Sequence, residues 1–212
     1  MVVFKNILIV VFLFYGLNTF SQESNFSKFK KLSEPEKRWV ILHPFIIKKV
    51  HAISVEVQQV TDSIYKTGVL DTFPNGGQID AFRHGYWMLY LSLEIGKRRA
   101  LSLGKTHEKG NKQDFKKGNL EEKFLPDFVS IQMDLLNNEK GASLAAIDYK
   151  TQPTMLTHQR TLISYINKGE FYIIKRNKKG EFVDIDGNSI PTKEWQGKWI
   201  SSRCLVKSNW EE

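Results

Sequence analysis

The sequence is poor in cysteine and proline and has no excess of glycine, and each of these features excludes a class of protein. Cys204 is the single cysteine among 212 residues, which excludes both an internal disulfide framework and a cysteine-rich zinc site. With 14 glycines, 6 prolines and 41% hydrophobic residues, the chain is neither collagen-like nor low in complexity, and it can bury a core. The sequence also lacks the P-loop, dinucleotide-binding, G-x-S-x-G and HExxH motifs.

Long apolar runs are missing as well, apart from a short one at the N-terminus. Lys5 precedes an apolar stretch over residues 7–17, which is eleven residues long. Crossing a bilayer takes roughly 20 residues, so this stretch is typical of a secretory signal peptide. The sequence predicts a signal peptide over residues 1–21, cleaved before Gln22, and a mature protein exported to the periplasm or secreted. The alternative is an N-terminal membrane anchor that is not cleaved.

The formal net charge is +8, with 31 Lys and Arg residues against 23 Asp and Glu residues. This balance favours anionic small molecules, acidic polymers or an anionic membrane as partners. The lysines are densest around residues 109–120, which we predict to be an exposed loop: Lys105, Lys109, Lys112, Lys116 and Lys117. They are not interleaved with aromatic residues in a stacking pattern, so nucleic-acid binding is not indicated.

Apolar spacing predicts a mainly α fold, with a bundle-like body of about six helices followed by a small β hairpin. The first helix begins at a capping box formed by Ser33 and Glu36 and ends at Pro44. The other predicted helices cover about residues 45–65, 78–95, 97–107, 125–138 (or on to 146) and 157–167. Two short β-like runs, 171–174 and 182–183, predict the hairpin. The resulting division is a signal peptide over 1–21, a helical domain over 22–170 and a hairpin tail over 171–212.

Three of the predicted helices carry polar side chains within apolar stretches. These residues are Asp80 and His84 on the third helix, His107 and Glu108 on the fourth, and Asp134, Asn137 and Asn138 on the fifth. Burying an ionised group without a partner costs several kcal/mol. The side chains are therefore expected to meet one another, a metal ion or water in a cleft.

Two interpretations of this polar set compete. In the first, His84, His107, Glu108 and Asp134 bind one divalent ion, since imidazole and carboxylate suit Zn, Mn and Fe. Glu108, with His107, would act in catalysis as a base. The supporting residues would be Asp80, Arg83, Asn137 and Asn138. In the second interpretation, the same side chains form a hydrogen-bond network that only orders the helices.

The polar residues also carry a family resemblance. Asp80–Trp87 reads D-A-F-R-H-x-x-W, an H-E pair follows at 107–108, and Met133–Gly141 reads M-D-x-x-N-N-x-x-G. This pattern resembles a bacterial family catalogued as domain of unknown function 6973, over about residues 33–170. The resemblance implies a helical domain with a polar cluster and brings no activity. A looser similarity is to the HD-type metal phosphohydrolases, in which an Asp stands where this chain has Glu108.

These observations lead to three hypotheses for the function. The first is a metal-dependent hydrolase of a phosphoester or another anionic substrate. The second is a non-catalytic envelope or binding protein whose polar cluster is structural. The third is a secreted toxin acting on cell-wall or nucleic-acid polymers, which the basic charge would suit.

Overall fold

The computed structural model describes residues 25–118, 126–148 and 154–211. The predicted mainly α fold with a small antiparallel pair at the C-terminus is confirmed. In chain order the elements are α1 (Asn25–Lys31), α2 (Glu34–Leu42), α3 (Ile47–Thr67), α4 (Gln78–Ile95), α5 (Lys97–Lys117), α6 (Phe128–Asp148), α7 (Met155–Asn167), β1 (Tyr172–Ile174), α8 (Thr192–Trp195) and β2 (Leu205–Lys207). The predicted signal peptide lies outside the described residues.

The predicted capping box starts α2. The Ser33 side chain accepts from the Glu36 backbone N–H, and the Glu36 carboxylate accepts from the Ser33 N–H at 2.8 Å. These bonds satisfy backbone groups that a helix start otherwise leaves without partners. The helix ends at Leu42, with His43 as its C-cap just before the predicted break at Pro44, because Pro44 disfavours helical backbone in the residue before it.

Helix α4 is the centre of the fold. Its predicted bounds, 78–95, match the structure, and it is apolar on most faces. Phe82, Tyr86 and Leu91 are fully buried there. Helices α3, α5, α6 and α7 all pack against α4, and the contact with α6 is the most extensive. Asp80 and His84 on α4 are therefore buried rather than exposed to solvent.

The loop predicted for residues 109–120 is wrong over 109–117, because α5 continues to Lys117. The density of lysines suggested a loop, but lysine is compatible with a helix, and here the lysines lie on its exposed face. The inner face is small and polar: Gly110 lies against the Ser33 side chain, and Asn111 donates to Glu108 at 3.1 Å. Gly118, with a φ of 71°, ends the helix in the left-handed conformation that glycine adopts without strain.

The tail is joined to the helical body more closely than the sequence indicated. Strand β1 pairs antiparallel with β2, with Ile173 opposite Val206. Residues 182–183, predicted as the second strand, form only isolated bridges, one of them between Arg176 and Phe182. Phe171 and Ile173 belong to the main hydrophobic core.

Among the described residues, none of the helices combines the length and apolar character that crossing a bilayer requires.

Candidate functional site

Two glycines set the distance between α4 and α6. Gly85 and Gly141 meet where the helices cross, and a Cβ on Gly141 would lie 2.7 Å from the Gly85 Cα. Only glycine permits such a close approach of two backbones. His84 precedes Gly85, and Asn138 lies one turn before Gly141. The crossing therefore brings these two polar side chains together, with 3.2 Å between His84 Nδ1 and Asn138 Oδ1.

Three buried side chains converge beside this crossing. Asp80, His84 and Asp134 each offer a potential ligand atom, and these atoms all lie within 4.8 Å of one another. The three residues are 5%, 5% and 8% exposed, so bulk water screens their charges poorly. His84 Nε2 lies 3.3 Å from Asp134 Oδ1 and 3.6 Å from Asp80 Oδ1.

The contact with Asn138 decides what His84 presents to the carboxylates. Because the Asn138 Oδ1 is an acceptor, the His84 Nδ1 carries a proton and donates to it. The Nε2 atom then faces two carboxylate oxygens. A neutral imidazole would direct its lone pair at those negative oxygens, which is repulsive. A second proton on Nε2, a proton on one of the two carboxyl groups, or a cation between the three side chains would each remove this repulsion.

Asp80 is held in place from two directions. Its Oδ2 accepts from the Gly76 N–H at 2.7 Å, and its Oδ1 lies 2.6 Å from the Arg83 guanidinium. Burial raises the pKa of the Asp80 carboxyl, and the charges of Arg83 and Arg176 and the Gly76 N–H oppose that rise. Each carboxylate oxygen has two lone pairs, so the oxygen that pairs with Arg83 can still face His84.

A small cavity of about 70 Å³ opens beside the three converging residues. Three arginines line it: Arg83 from α4, and Arg176 and Arg203 from the tail. This volume suits an ion with a few water molecules, or the anionic end of a larger ligand. The cavity therefore combines a cluster of acidic and imidazole groups with cationic walls.

Arg176 is held by aromatic rings and by backbone carbonyl groups. Its guanidinium lies 4.4 Å from the Phe73 ring centre and 3.8 Å from that of Phe182, and it donates to the carbonyls of Asn75 and Gly180. Burial lowers the pKa of Arg176 to about 10, against the pull of nearby carboxylates, so the side chain stays cationic at neutral pH. Its Nε–H is buried and has no hydrogen-bond acceptor among the described residues.

Arg203 also lines the cavity. It forms an ion pair with Asp127 and lies over the rings of Phe182 and Trp195. Burial lowers its pKa to about 10 as well. Asp127 also accepts from the Ser130 N–H at 3.0 Å, at the start of α6. The ion pair thus ties the tail to the helix that carries Asp134.

The structure brings together only part of the predicted ligand set. His84 and Asp134 lie in the cluster, and the predicted supporting residues Asp80, Arg83 and Asn138 surround them. The fourth predicted supporting residue, Asn137, faces the tail: its amide donates to the Tyr172 carbonyl and accepts from the Tyr172 N–H, both at 2.9 Å.

His107 and Glu108, the predicted catalytic pair, lie outside the cluster. His107 Nδ1 lies 3.0 Å from a Glu36 carboxylate oxygen, and its ring contacts Trp87 edge-on. Glu108 is buried and accepts from Asn111. Neither residue lines the cavity. Adjacent residues on a helix diverge by about 100°, and here His107 faces Glu36 whereas Glu108 faces Asn111.

Three charged residues that line the cavity were not predicted from the sequence: Asp127, Arg176 and Arg203. For Asp127 a signal existed, since an acidic residue just before an apolar helix is a common N-cap. The two arginines gave none, because only the folded tail brings them to α4.

Comparison with protein-family models matches residues 37–170 to a family described as Domain of unknown function (DUF6973). No curated protein and no solved structure matches the chain.

Proposed function

The chain belongs to the family described as Domain of unknown function (DUF6973), and we propose that in this member Asp80, His84 and Asp134 hold one divalent metal ion for hydrolysis of an anionic substrate. The observation that carries the proposal is the His84 Nε2, which faces two buried carboxylates while its Nδ1 donates to Asn138. A cation between the three groups removes the repulsion that a neutral ring would create.

The donor set suits a divalent transition metal. One imidazole nitrogen and two carboxylates supply a formal charge of −2, which balances a 2+ ion, and Zn, Mn and Fe all accept this mixture. Three protein ligands also leave a coordination position for water, as in hydrolytic metal sites. Asn138 would fix the orientation of the His84 ring, as outer hydrogen-bond partners of metal-binding histidines do.

The arginines favour an anionic substrate, for which a phosphoester is the leading candidate. Arg83 and Arg176 line the cavity together with the metal-binding residues, and both guanidinium groups place positive charge beside it. Guanidinium groups bind phosphate oxygens with two parallel hydrogen bonds. A bound metal would lower the pKa of its water to give a hydrolytic nucleophile. The small cavity admits only the reacting group, and the rest of the substrate would lie outside.

The test is metal-dependent hydrolysis of a chromogenic phosphodiester. We expect activity in the presence of Zn²⁺, Mn²⁺ or Fe²⁺ and its loss in His84→Ala. His107→Gln is the matched control, because His107 lies outside the cluster and this variant is expected to keep most of the activity. Equal loss of activity in both variants, or an activity that ignores the added metal, would contradict the proposal.

The non-catalytic alternative also rests on a specific observation. The Arg83–Asp80 contact at 2.6 Å and an imidazolium at His84 would balance the charges without any metal. In that case the cluster only orders α4 and α6, as buried polar networks can. Asp134→Asn separates the two functions: it should lower stability by about 1–3 kcal/mol in both cases, but it changes metal binding only if a metal site exists.

We further propose that the protein is exported, on the evidence of residues 1–21. A basic residue, an apolar stretch of eleven residues and the small residue Ser21 support this proposal. The test is the mass of the protein recovered from the periplasm or medium of an expressing bacterium. Export predicts a chain that begins at Gln22, whereas a full-length chain retained in the membrane fraction would indicate the uncleaved anchor.

A further inference from the structure

Three apolar side chains point into solvent at the corner between α2 and α3. Ile41 is 66% exposed, Leu42 76% and Phe45 96%. A single exposed apolar residue is ordinary, but three within five positions form a continuous patch. Such patches mark a contact with another apolar phase, and we refer to these three residues as the apolar corner.

The conformation of the corner is held by the residue between Leu42 and Pro44. The His43 ring stacks on Trp39, with ring centres 4.1 Å apart, and its Nδ1 lies 2.8 Å from the Trp39 carbonyl oxygen. Trp39 is itself buried, only 4% exposed. The chain reversal is therefore anchored to the core, and Phe45 is presented outward from a fixed support.

A basic groove adjoins the apolar corner. It lies between α2 and α5, has a volume of about 600 Å³, and is lined by Leu42 and His43 together with exposed cationic side chains: Arg38, Lys109, Lys112 and Lys116. The three lysines follow one another at three- and four-residue spacing, so they form a row along one face of α5. Among the described residues that line the groove, none is acidic.

We propose that the apolar corner and the basic groove dock together on the surface of an anionic phospholipid membrane. An apolar tip enters the boundary between headgroups and acyl chains, while adjoining lysines contact the phosphates and keep their charges in water. A second copy of the chain is a poorer occupant, because it would place one basic groove near another on molecules with a net charge of +8. This inference is independent of the proposed hydrolytic site.

The experiment uses the full chain with an environment-sensitive fluorophore at the corner. In a Cys204→Ser background, Phe45→Cys carries a nitrobenzoxadiazole label, and vesicles of phosphatidylcholine alone are compared with vesicles that contain one-third phosphatidylglycerol. The expected result is a several-fold rise and a blue shift of emission with the anionic vesicles alone, weakened by high salt. The same label at Ile185→Cys is the control, because Ile185 is 72% exposed but lies between Asp184 and Asp186. Because each label reports insertion only at its own position, membrane binding through the N-terminal residues would not produce the expected signal at position 45.

Charge variants test the groove separately. Replacing Lys109, Lys112 and Lys116 by Gln is expected to weaken partition onto anionic vesicles more than tenfold, since each lysine near such a surface contributes roughly a factor of five. The matched control replaces three exposed tail lysines by Gln and should change partition less than twofold: Lys178, Lys179 and Lys193. Circular dichroism is used to check that both variants fold.

Several results would overturn the proposal. Equal responses of the two labels, or equal binding to neutral vesicles, would show that the apolar corner is not the docking surface. A blue-shifted Phe45→Cys label without vesicles would show that protein already covers the corner, and sedimentation would then distinguish a second copy from another part of the same chain.

Discussion

Replacing Gly141 by alanine tests the helix crossing on which the site is built. A methyl group there would lie 2.7 Å from the Gly85 Cα, 2.8 Å from its carbonyl carbon and closer still to its carbonyl oxygen. All three are backbone atoms of a central helix, so no side chain can rotate to make room. Helices α4 and α6 would have to separate locally by about 1 Å to reach ordinary van der Waals contact.

Two opposing effects set the magnitude. Alanine favours the helical state over glycine by about 1 kcal/mol. Overpacking a close helix contact costs typically 1–3 kcal/mol and more where backbone must move. Because the clash involves only backbone, we expect the packing cost to exceed the helix gain and Gly141→Ala to destabilise the protein by about 2 kcal/mol. For a chain of this size, that loss lowers the melting temperature by about 4–8 °C.

The assay is thermal and denaturant unfolding of Gly141→Ala beside a matched control, Ser143→Ala. Ser143 is half-buried on the same helix, and its hydroxyl donates to the carbonyl of Lys140 at 2.6 Å. Its replacement should change stability by less than about 0.5 kcal/mol. The expected loss of divalent-metal affinity in Gly141→Ala would follow from the displacement of Asn138 from His84. A Gly141→Ala protein as stable as the parent, with unchanged metal affinity, would refute this explanation of the crossing.

Two further predictions concern contacts that join distant elements. Asn137→Ala removes both hydrogen bonds to the Tyr172 backbone and leaves the Tyr172 N–H and C=O without these partners. The free energy of unfolding should therefore fall by about 2–4 kcal/mol. A denaturant midpoint that hardly moves would contradict this prediction. Glu36→Gln weakens the contacts with Ser33 and His107. Burial raises the pKa of the Glu36 carboxyl, but the hydrogen bonds with His107 and Ser33 outweigh burial and bring the pKa below 4.5. The carboxylate therefore stabilises the fold above pH 4.5, and this stabilisation is lost as the pH falls through the lowered pKa. The stability difference between parent and Glu36→Gln, about 1–2 kcal/mol at neutral pH, should therefore shrink in acid, and unfolding curves between pH 7 and 3 that diverge instead would exclude this role.

The elements that the sequence predicted well are those whose signals are local. The capping box at Ser33 and the apolar pattern of 78–95 depend on residues a few positions apart, and both helices are confirmed. The extension of α5 was missed because its inner face is formed by Gly110 and Asn111 rather than by apolar residues. Their burial comes from contacts with other elements, which periodicity does not reveal.

The site was predictable only in part for the same reason. Asp80 and His84 are four apart on one helix, so their proximity follows from helix geometry. Asp134 was predicted from the polar residues within apolar helices. Its proximity to His84 depends on the glycine crossing, which is seen only in the structure. Arg176 and Arg203 reach the cavity through a tail whose strand pairs with residues 205–207, a long-range pairing that the sequence pattern does not specify.

The most direct test of the metal site is the divalent-ion content of the freshly purified protein, measured by elemental analysis and repeated after dialysis against Zn²⁺ or Mn²⁺. We expect one ion per chain, its loss in His84→Ala, and its retention in His51→Ala, which removes an exposed histidine from α3. Parent protein that binds no stoichiometric ion, and whose melting temperature no divalent ion raises, would contradict a metal centre at Asp80, His84 and Asp134.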